Sequence, residues 1–126
     1  MRLLLDTCIL LYWMNGGLPN KVRHQIQKSL DLFVSMATPW EIAIKNNPPG
    51  RFNLPSTSMI QRVLDEMGAR LLPLTLKHTD RLYTLPLHHK DPFDRMIIVQ
   101  ALEERCTVVT SDQQFSLYEG LQVLWD

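Results

Sequence analysis

Residues 2–6 read RLLLD, and residues 106–112 read CTVVTSD. In each, a short buried-strand pattern ends on an acid: Leu3, Leu4 and Leu5 run straight into Asp6, and Val108-Val109 are followed, after Thr110 and Ser111, by Asp112. A strand with one wet face alternates apolar and polar residues. An unbroken run is the pattern of a strand covered on both faces, as in a parallel sheet. Three more stretches fit a strand: LFVSMA (32–37), ARLLPL (69–74) and LQVLW (121–125). The segments between them read as helices. TCILLYWMNG (7–16) has Thr7 as a cap and Gly16-Gly17 as its stop. PNKVRHQIQKSL (19–30) starts at Pro19 and aligns Val22, Ile26 and Leu30 on one face. TPWEIAIKNN (38–47) has Thr38 as N-cap and Pro39 at its first position. STSMIQRVLDEMG (56–68) has a serine cap, an Ile60, Val63, Leu64 and Met67 face, and a Gly68 stop. TLKHTDRLYTLP (75–86) is short and ends at Pro86. The longest, HHKDPFDRMIIVQALEER (88–105), begins through Asp91-Pro92. Strands alternating with helices give an α/β fold with a central, mainly parallel sheet and helices on both faces.

The chain of 126 residues is 45% hydrophobic and 21% charged, which suits one domain over residues 1–126 with one core. Lys+Arg and Asp+Glu balance at 13 each, so bulk charge demands neither a nucleic-acid nor a membrane partner, although a neutral total can hide an acidic pocket. Cys8 and Cys106 form no C-x-x-C pair and no zinc-like Cys/His spacing, and read as thiols of a reducing compartment. The first apolar run is broken by Asp6, unlike a signal peptide, and no run reaches membrane-spanning length. The expected location is cytoplasmic.

In a parallel α/β sheet, ligands sit outside the carboxyl ends of the strands. Asp6 and Asp112 fall there directly, Glu41 lies shortly after the second strand, and Asp94 lies near the start of the long helix. Carboxylates gathered at one edge repel one another unless a counter-charge joins them. Mg²⁺ or Mn²⁺ supplies that charge and can drive phosphodiester hydrolysis. Each acid also has a plain structural use. Asp6 can cap the following helix, Glu41 can pair with Lys45 in the helix's first turns, Asp94 suits a helix dipole, and Asp112 suits a turn. Their joint placement is what points to chemistry.

MRLLLDTCILLYW, WEIAIK (40–45), HHKDPFDRMIIVQA (88–101) and VVTSDQQF (108–115) come in the order and spacing of one family. The chain resembles, over essentially its whole length, a PIN-domain ribonuclease of the kind that acts as the toxin in VapBC-type toxin–antitoxin pairs. The resemblance implies a three-layer α/β/α sandwich and a metal-dependent endoribonuclease using Mg²⁺ or Mn²⁺. It also implies a cognate antitoxin and a homodimer. It places the metal-binding and catalytic acids at Asp6, Glu41, Asp94 and Asp112, with Asp112 at the most variable position. Thr7, Asp91 and Thr110 match supporting positions. Cys8 stands where a histidine is frequent, with no expected effect on catalysis. The loop KNNPPGRFNLP departs from the family pattern, and its prolines and Asn46-Asn47 predict an early helix end.

Lys45, Arg51 and Arg95 are candidates for holding RNA phosphates, against the alternative of solvated or acid-paired side chains. His88 and His89 can be read as metal ligands, but no third partner stands at a known spacing. Trp13, Trp40 and Trp125 can stack on bases or simply pack. The apolar stripe ILLYW exceeds the needs of one small helix face and offers surface to a dimer. Two other enzyme readings fail on spacing. An aspartyl-phosphate phosphatase shows D-x-D, and here Cys8 stands two residues after Asp6. A receiver-type phosphoacceptor needs an early acidic pair, which is absent. The alternative within the same family is an RNA-binding or RNA-processing protein that is not a toxin.

Overall fold

The computed structural model describes residues 1–126. In chain order the elements are β1 (Arg2–Leu5), α1 (Thr7–Asn15), α2 (Asn20–Lys28), β2 (Asp31–Ser35), α3 (Ala37–Lys45), α4 (Thr57–Met67), β3 (Arg70–Leu72), α5 (Leu76–Leu82), α6 (Pro92–Glu104), β4 (Thr107–Val109) and β5 (Gln122–Leu124), with a 3₁₀ turn at Gln113–Leu117 before β5. The five strands lie in the order β3-β2-β1-β4-β5, and every neighbouring pair is parallel. The expected mainly parallel sheet is wholly parallel.

The unbroken apolar runs have the predicted cause. Leu3 and Leu5 point to one face with Leu32, Val34 and Val109, where Ile9, Val22, Ile42, Ile60 and Leu64 of α1–α4 cover them. Leu4 points to the other face with Phe33 and Val108, against Ile97, Ile98 and Ala101 of α6 and Phe115 of the 3₁₀ turn. Leu3, Leu4 and Leu5 are all buried, each contributing about 1.5–3 kcal/mol. The result is three layers, helices on both sides of one sheet.

Several local expectations are corrected. Thr7 does not cap α1; Asp6 does, its Oδ1 accepting the Thr7 N–H at 2.8 Å. Thr38 is not the N-cap of α3, and Pro39 is not its first residue, because the helix begins at Ala37. Ser35 Oγ accepts the Ala37 N–H at 2.9 Å, which starts the helix earlier and turns Thr38 inward. Leu30 leaves the Val22/Ile26 face and is fully exposed, because α2 stops at Lys28 and the chain turns into β2. Helix α5 ends at Leu82, ahead of Pro86. From the ILLYW stripe, Ile9 and Leu10 are buried, and Trp13 packs on the core with Arg23 over its ring at 4.6 Å. Helix α3 ends at Lys45, as its Asn and Pro residues predict.

Buried His78 fastens α5 to α6. Its Nδ1 accepts the Thr75 N–H at 3.1 Å, and its Nε2 lies 3.1 Å from Glu104 Oε2. No helix is long and apolar enough to cross a membrane.

Candidate active site

In the strand order β3-β2-β1-β4-β5, successive connections run one way from β1 and then the other. The reversal opens a crevice at the carboxyl ends of β1 and β4, the usual ligand position in such sheets. Asp6 follows β1, and Thr110 follows β4. They meet across the crevice, with Thr110 Oγ1 donating to Asp6 Oδ2 at 2.7 Å.

From that bond hydrogen bonds join Glu41, Asp6, Asp112 and His89, and Asp94 stands against the His89 ring. The Thr7 N–H donates to Asp6 Oδ1, and Thr7 Oγ1 donates to Glu41 Oε1 at 3.0 Å. Since that hydroxyl has one proton, its 2.9 Å bond with Thr38 Oγ1 has Thr38 as donor. On the other side, Thr110 Oγ1 accepts the Asp112 N–H at 3.1 Å. Asp112 Oδ2 lies 2.8 Å from His89 Nε2, which is also 3.1 Å from Asp94 Oδ2. Asp94 sits in the first turn of α6, where Asp91 Oδ1 accepts the Phe93 and Asp94 N–H groups and caps the helix.

Burial makes this an expensive arrangement of charge. Asp6 and Glu41 are both buried. Loss of solvent pushes the Asp6 carboxyl up, opposed by donors from Thr110, Thr7 and Cys8. Asp94 is pushed up to about 7, first by burial and then by the charges of Asp6 and Asp91, with His89 pulling the other way. The Lys45 ammonium is held up by its 2.7 Å hydrogen bond to Glu41 Oε2. Oxygen donors converging in a partly dry pocket fit a hard divalent cation.

The family model described as PIN domain matches residues 3–121. The chain belongs to the PIN domain family. The PIN fold is also seen in its structural neighbours. VapBC2 from Rickettsia felis, solved bound to a DNA fragment from their promoter, superposes with a TM-score of 0.72 at 19% identity, covering 100% of both chains. DNA-bound VapBC from Salmonella typhimurium gives 0.74 at 15% identity, over 98% of this chain and 97% of that one. VapBC-1 from nontypeable Haemophilus influenzae gives 0.69 at 20% identity over the same shares, 98% and 97%. No curated protein matches the chain.

Within this PIN domain, the expected residues divide clearly. Asp6, Glu41, Asp94, Asp112, Thr7 and Thr110 are brought together as described. Asp91 serves as the cap of α6. Lys45 reaches the site through Glu41. Arg51 lies over the Phe52 ring at 5.0 Å, in the loop beyond α3. Arg95, expected to hold phosphate or pair with an acid, donates instead to the carbonyls of Pro86, His89 and Leu85 at 3.0–3.3 Å and fastens that loop. Trp40 is exposed, edge-on to Phe93 at 5.0 Å, whereas Trp125 packs against the core.

Sequence reasoning missed three members of the site. His89, read from the sequence only as a candidate metal ligand without a third partner, touches two of the acids, and that contact was missed. Thr38 feeds the Thr7 hydroxyl. Cys8 donates its thiol to Asp6 Oδ2 at 3.4 Å, and burial pushes that thiol up to about 11. Cys8 therefore lines the site, where no effect had been expected of it.

Proposed function

We propose that this PIN domain is a metal-dependent endoribonuclease acting as the toxin of a VapBC-like pair in the cytoplasm. The observation that carries the reading is the convergence of four acids at the strand-order reversal: hydrogen bonds join Glu41, Asp6, Asp112 and His89, and Asp94 Oδ2 stands 3.1 Å from the His89 ring. These four acids would hold the cation, Mg²⁺ or Mn²⁺. When bound, it supplies an activated water and stabilises charge on the leaving oxygen. Thr7 and Thr110 orient Glu41 and Asp6, and turn their lone pairs toward the crevice. Lys45 balances Glu41 and offers a positive group to an incoming RNA phosphate. Arg51 lies farther along the same loop. A cavity of about 430 Å³ beside Glu41, lined by Leu11, Ile42, Phe52 and Leu54, gives an unpaired base an apolar wall. Two free thiols, Cys8 and Cys106, suit a reducing compartment.

The partners follow from the surface. An acidic crevice attracts a cationic segment. The cognate antitoxin therefore presents an amphipathic segment with an Arg or Lys directed at Asp6 and Asp94. The exposed face of α3 with Trp40 and Ile44, extended by Met36 just ahead of the helix, suits a second copy of the chain. The pairing named in VapBC neighbours supports a toxin over an RNA-processing protein without a partner.

Purified chain should cut single-stranded or looped RNA with Mg²⁺ or Mn²⁺ and stop in EDTA. Expression alone should arrest growth, with rescue by a small protein encoded beside it and no arrest by Asp6→Asn. Cleavage undiminished by chelator would remove the metal mechanism. Harmless expression of a folded, RNA-cleaving wild type would leave the nuclease and remove the toxin.

A further inference from the structure

One buried side chain of the site links two of the acids without a chemical role in the reading above. His89 Nδ1 accepts the Asp91 N–H at 3.2 Å, while Nε2 faces Asp112 Oδ2 at 2.8 Å and Asp94 Oδ2 at 3.1 Å. These three residues place one ligand atom each within 4.8 Å of one another, so they resemble a three-ligand metal site. The hydrogen bonds argue otherwise. A backbone N–H only donates, so Nδ1 presents its lone pair to Asp91. The proton of the neutral ring then resides on Nε2, the atom that faces the two carboxylates.

The ring cannot easily exchange that tautomer. Making Nε2 a metal ligand moves the proton to Nδ1, directly against the Asp91 N–H. Asp91 is fixed as the cap of α6. The His89 backbone is fixed too, its N–H donating to Tyr118 Oη at 2.8 Å and its carbonyl accepting from Arg95 at 3.3 Å. Its ring meets Phe115 edge-on at 5.7 Å. The Asp94 Oδ1 atom, by contrast, takes no hydrogen bond from the chain, and Asp112 Oδ1 accepts only the Gln114 N–H.

We infer that His89 is a positioning residue: its Nε2–H donates to Asp112 Oδ2, with Asp94 Oδ2 drawn against the same N–H edge, and so aims both carboxylates at the cation without being a ligand itself. The inference rests on the metal-dependent reading above. It makes the loop that Arg95 fastens part of the site's preorganisation, because that loop sets where Nε2 stands.

The full chain is tested with Mn²⁺ as probe. Long-range ¹H–¹⁵N spectra of the cation-free protein should show His89 protonated on Nε2. Pulsed electron paramagnetic resonance of the Mn²⁺-loaded protein should show no directly ligated imidazole nitrogen. By calorimetry, His89→Leu should weaken Mn²⁺ binding about tenfold to a hundredfold. His89→Gln, whose amide N–H can reach the same carboxylates, should bind Mn²⁺ about as tightly as the wild type. A ligated histidine nitrogen, a proton on Nδ1, or a Gln variant as weak as Leu overturns the clamp and leaves the metal reading intact. A wild type that takes up no Mn²⁺ removes both.

Discussion

His78 and His89 are built alike and do different work. Each is buried, each accepts a backbone N–H at Nδ1, and each turns Nε2 toward carboxylate oxygen. His78 faces one carboxylate, that of Glu104, far from the crevice and between two packed helices. His89 faces two carboxylates, and one of them, Asp94, also feels Asp6 and Glu41. The same local geometry is a rivet where its acceptor is alone and a site element where acceptors converge. Charge crowding around the acceptor separates the two roles.

The comparison breaks most sharply at the crowded acids. Asp6→Asn and Asp94→Asn should each lower RNA cleavage at least roughly a hundredfold, the scale of losing a charge-stabilising group. Folding should survive, since removing one of several like charges relieves repulsion. Cleavage rates beside thermal melts test this, and Asp112→Asn should be milder. A fully active Asp94→Asn beside an inactive Asp91→Asn would place the chemistry one turn earlier.

Arg95→Met comes next. It releases the His89 carbonyl while leaving every acid in place, and should lower Mn²⁺ affinity about tenfold by calorimetry. The rivet should respond in the opposite way. His78→Leu leaves the Thr75 N–H and Glu104 without their partner, and should cost about 1–3 kcal/mol in urea unfolding. Cleavage per folded molecule and Mn²⁺ affinity should not change. A loss of Mn²⁺ binding in His78→Leu would erase the distinction.

The last test is stability against pH. Asp94 lies at about 7 in the folded chain against an ordinary 3.8, so between those values the folded state binds more protons than the unfolded one. Stability of the cation-free chain should therefore fall as pH rises from about 3.8 to about 7. The slope should shrink in Asp94→Asn, and Mn²⁺ should raise the melting temperature more at the upper end of the window. Calorimetric melts across the window check the sign.

The parallel sheet was legible because Leu3, Leu4 and Leu5 run too continuously apolar for a strand with a wet face and because strand and helix patterns alternate along the chain. The acids were legible because each follows a strand end or opens a helix. Their capping roles coexist with the contacts that gather them. Asp6 caps α1 with Oδ1 and meets Thr110 with Oδ2; Asp112 accepts Gln114 with Oδ1 and His89 with Oδ2. The partners of His89 were not legible, since they depend on how a loop folds across the start of α6 and the 3₁₀ turn; the sequence offered it only as one of two adjacent histidines able to bind metal. Nor was Thr38, because Ser35 begins the helix ahead of it and local capping preference carries no information about Thr7. Arg95 looked like a phosphate binder because carbonyl oxygens leave no mark in a sequence.

β1 is the first strand synthesised and the middle strand of the sheet. Leu3 pairs with Leu32 on one side and with Thr107 on the other, and Thr110 is 104 residues from the carboxylate it binds. Closing so long a loop slows folding. At ribosomal speeds Asp6 waits roughly 5–20 s for its partner to be made. A nascent chain thus carries an unfinished crevice past the machinery producing it, and a product truncated before β4 never acquires one. The crevice is complete only once β4 has followed β1 out of the ribosome.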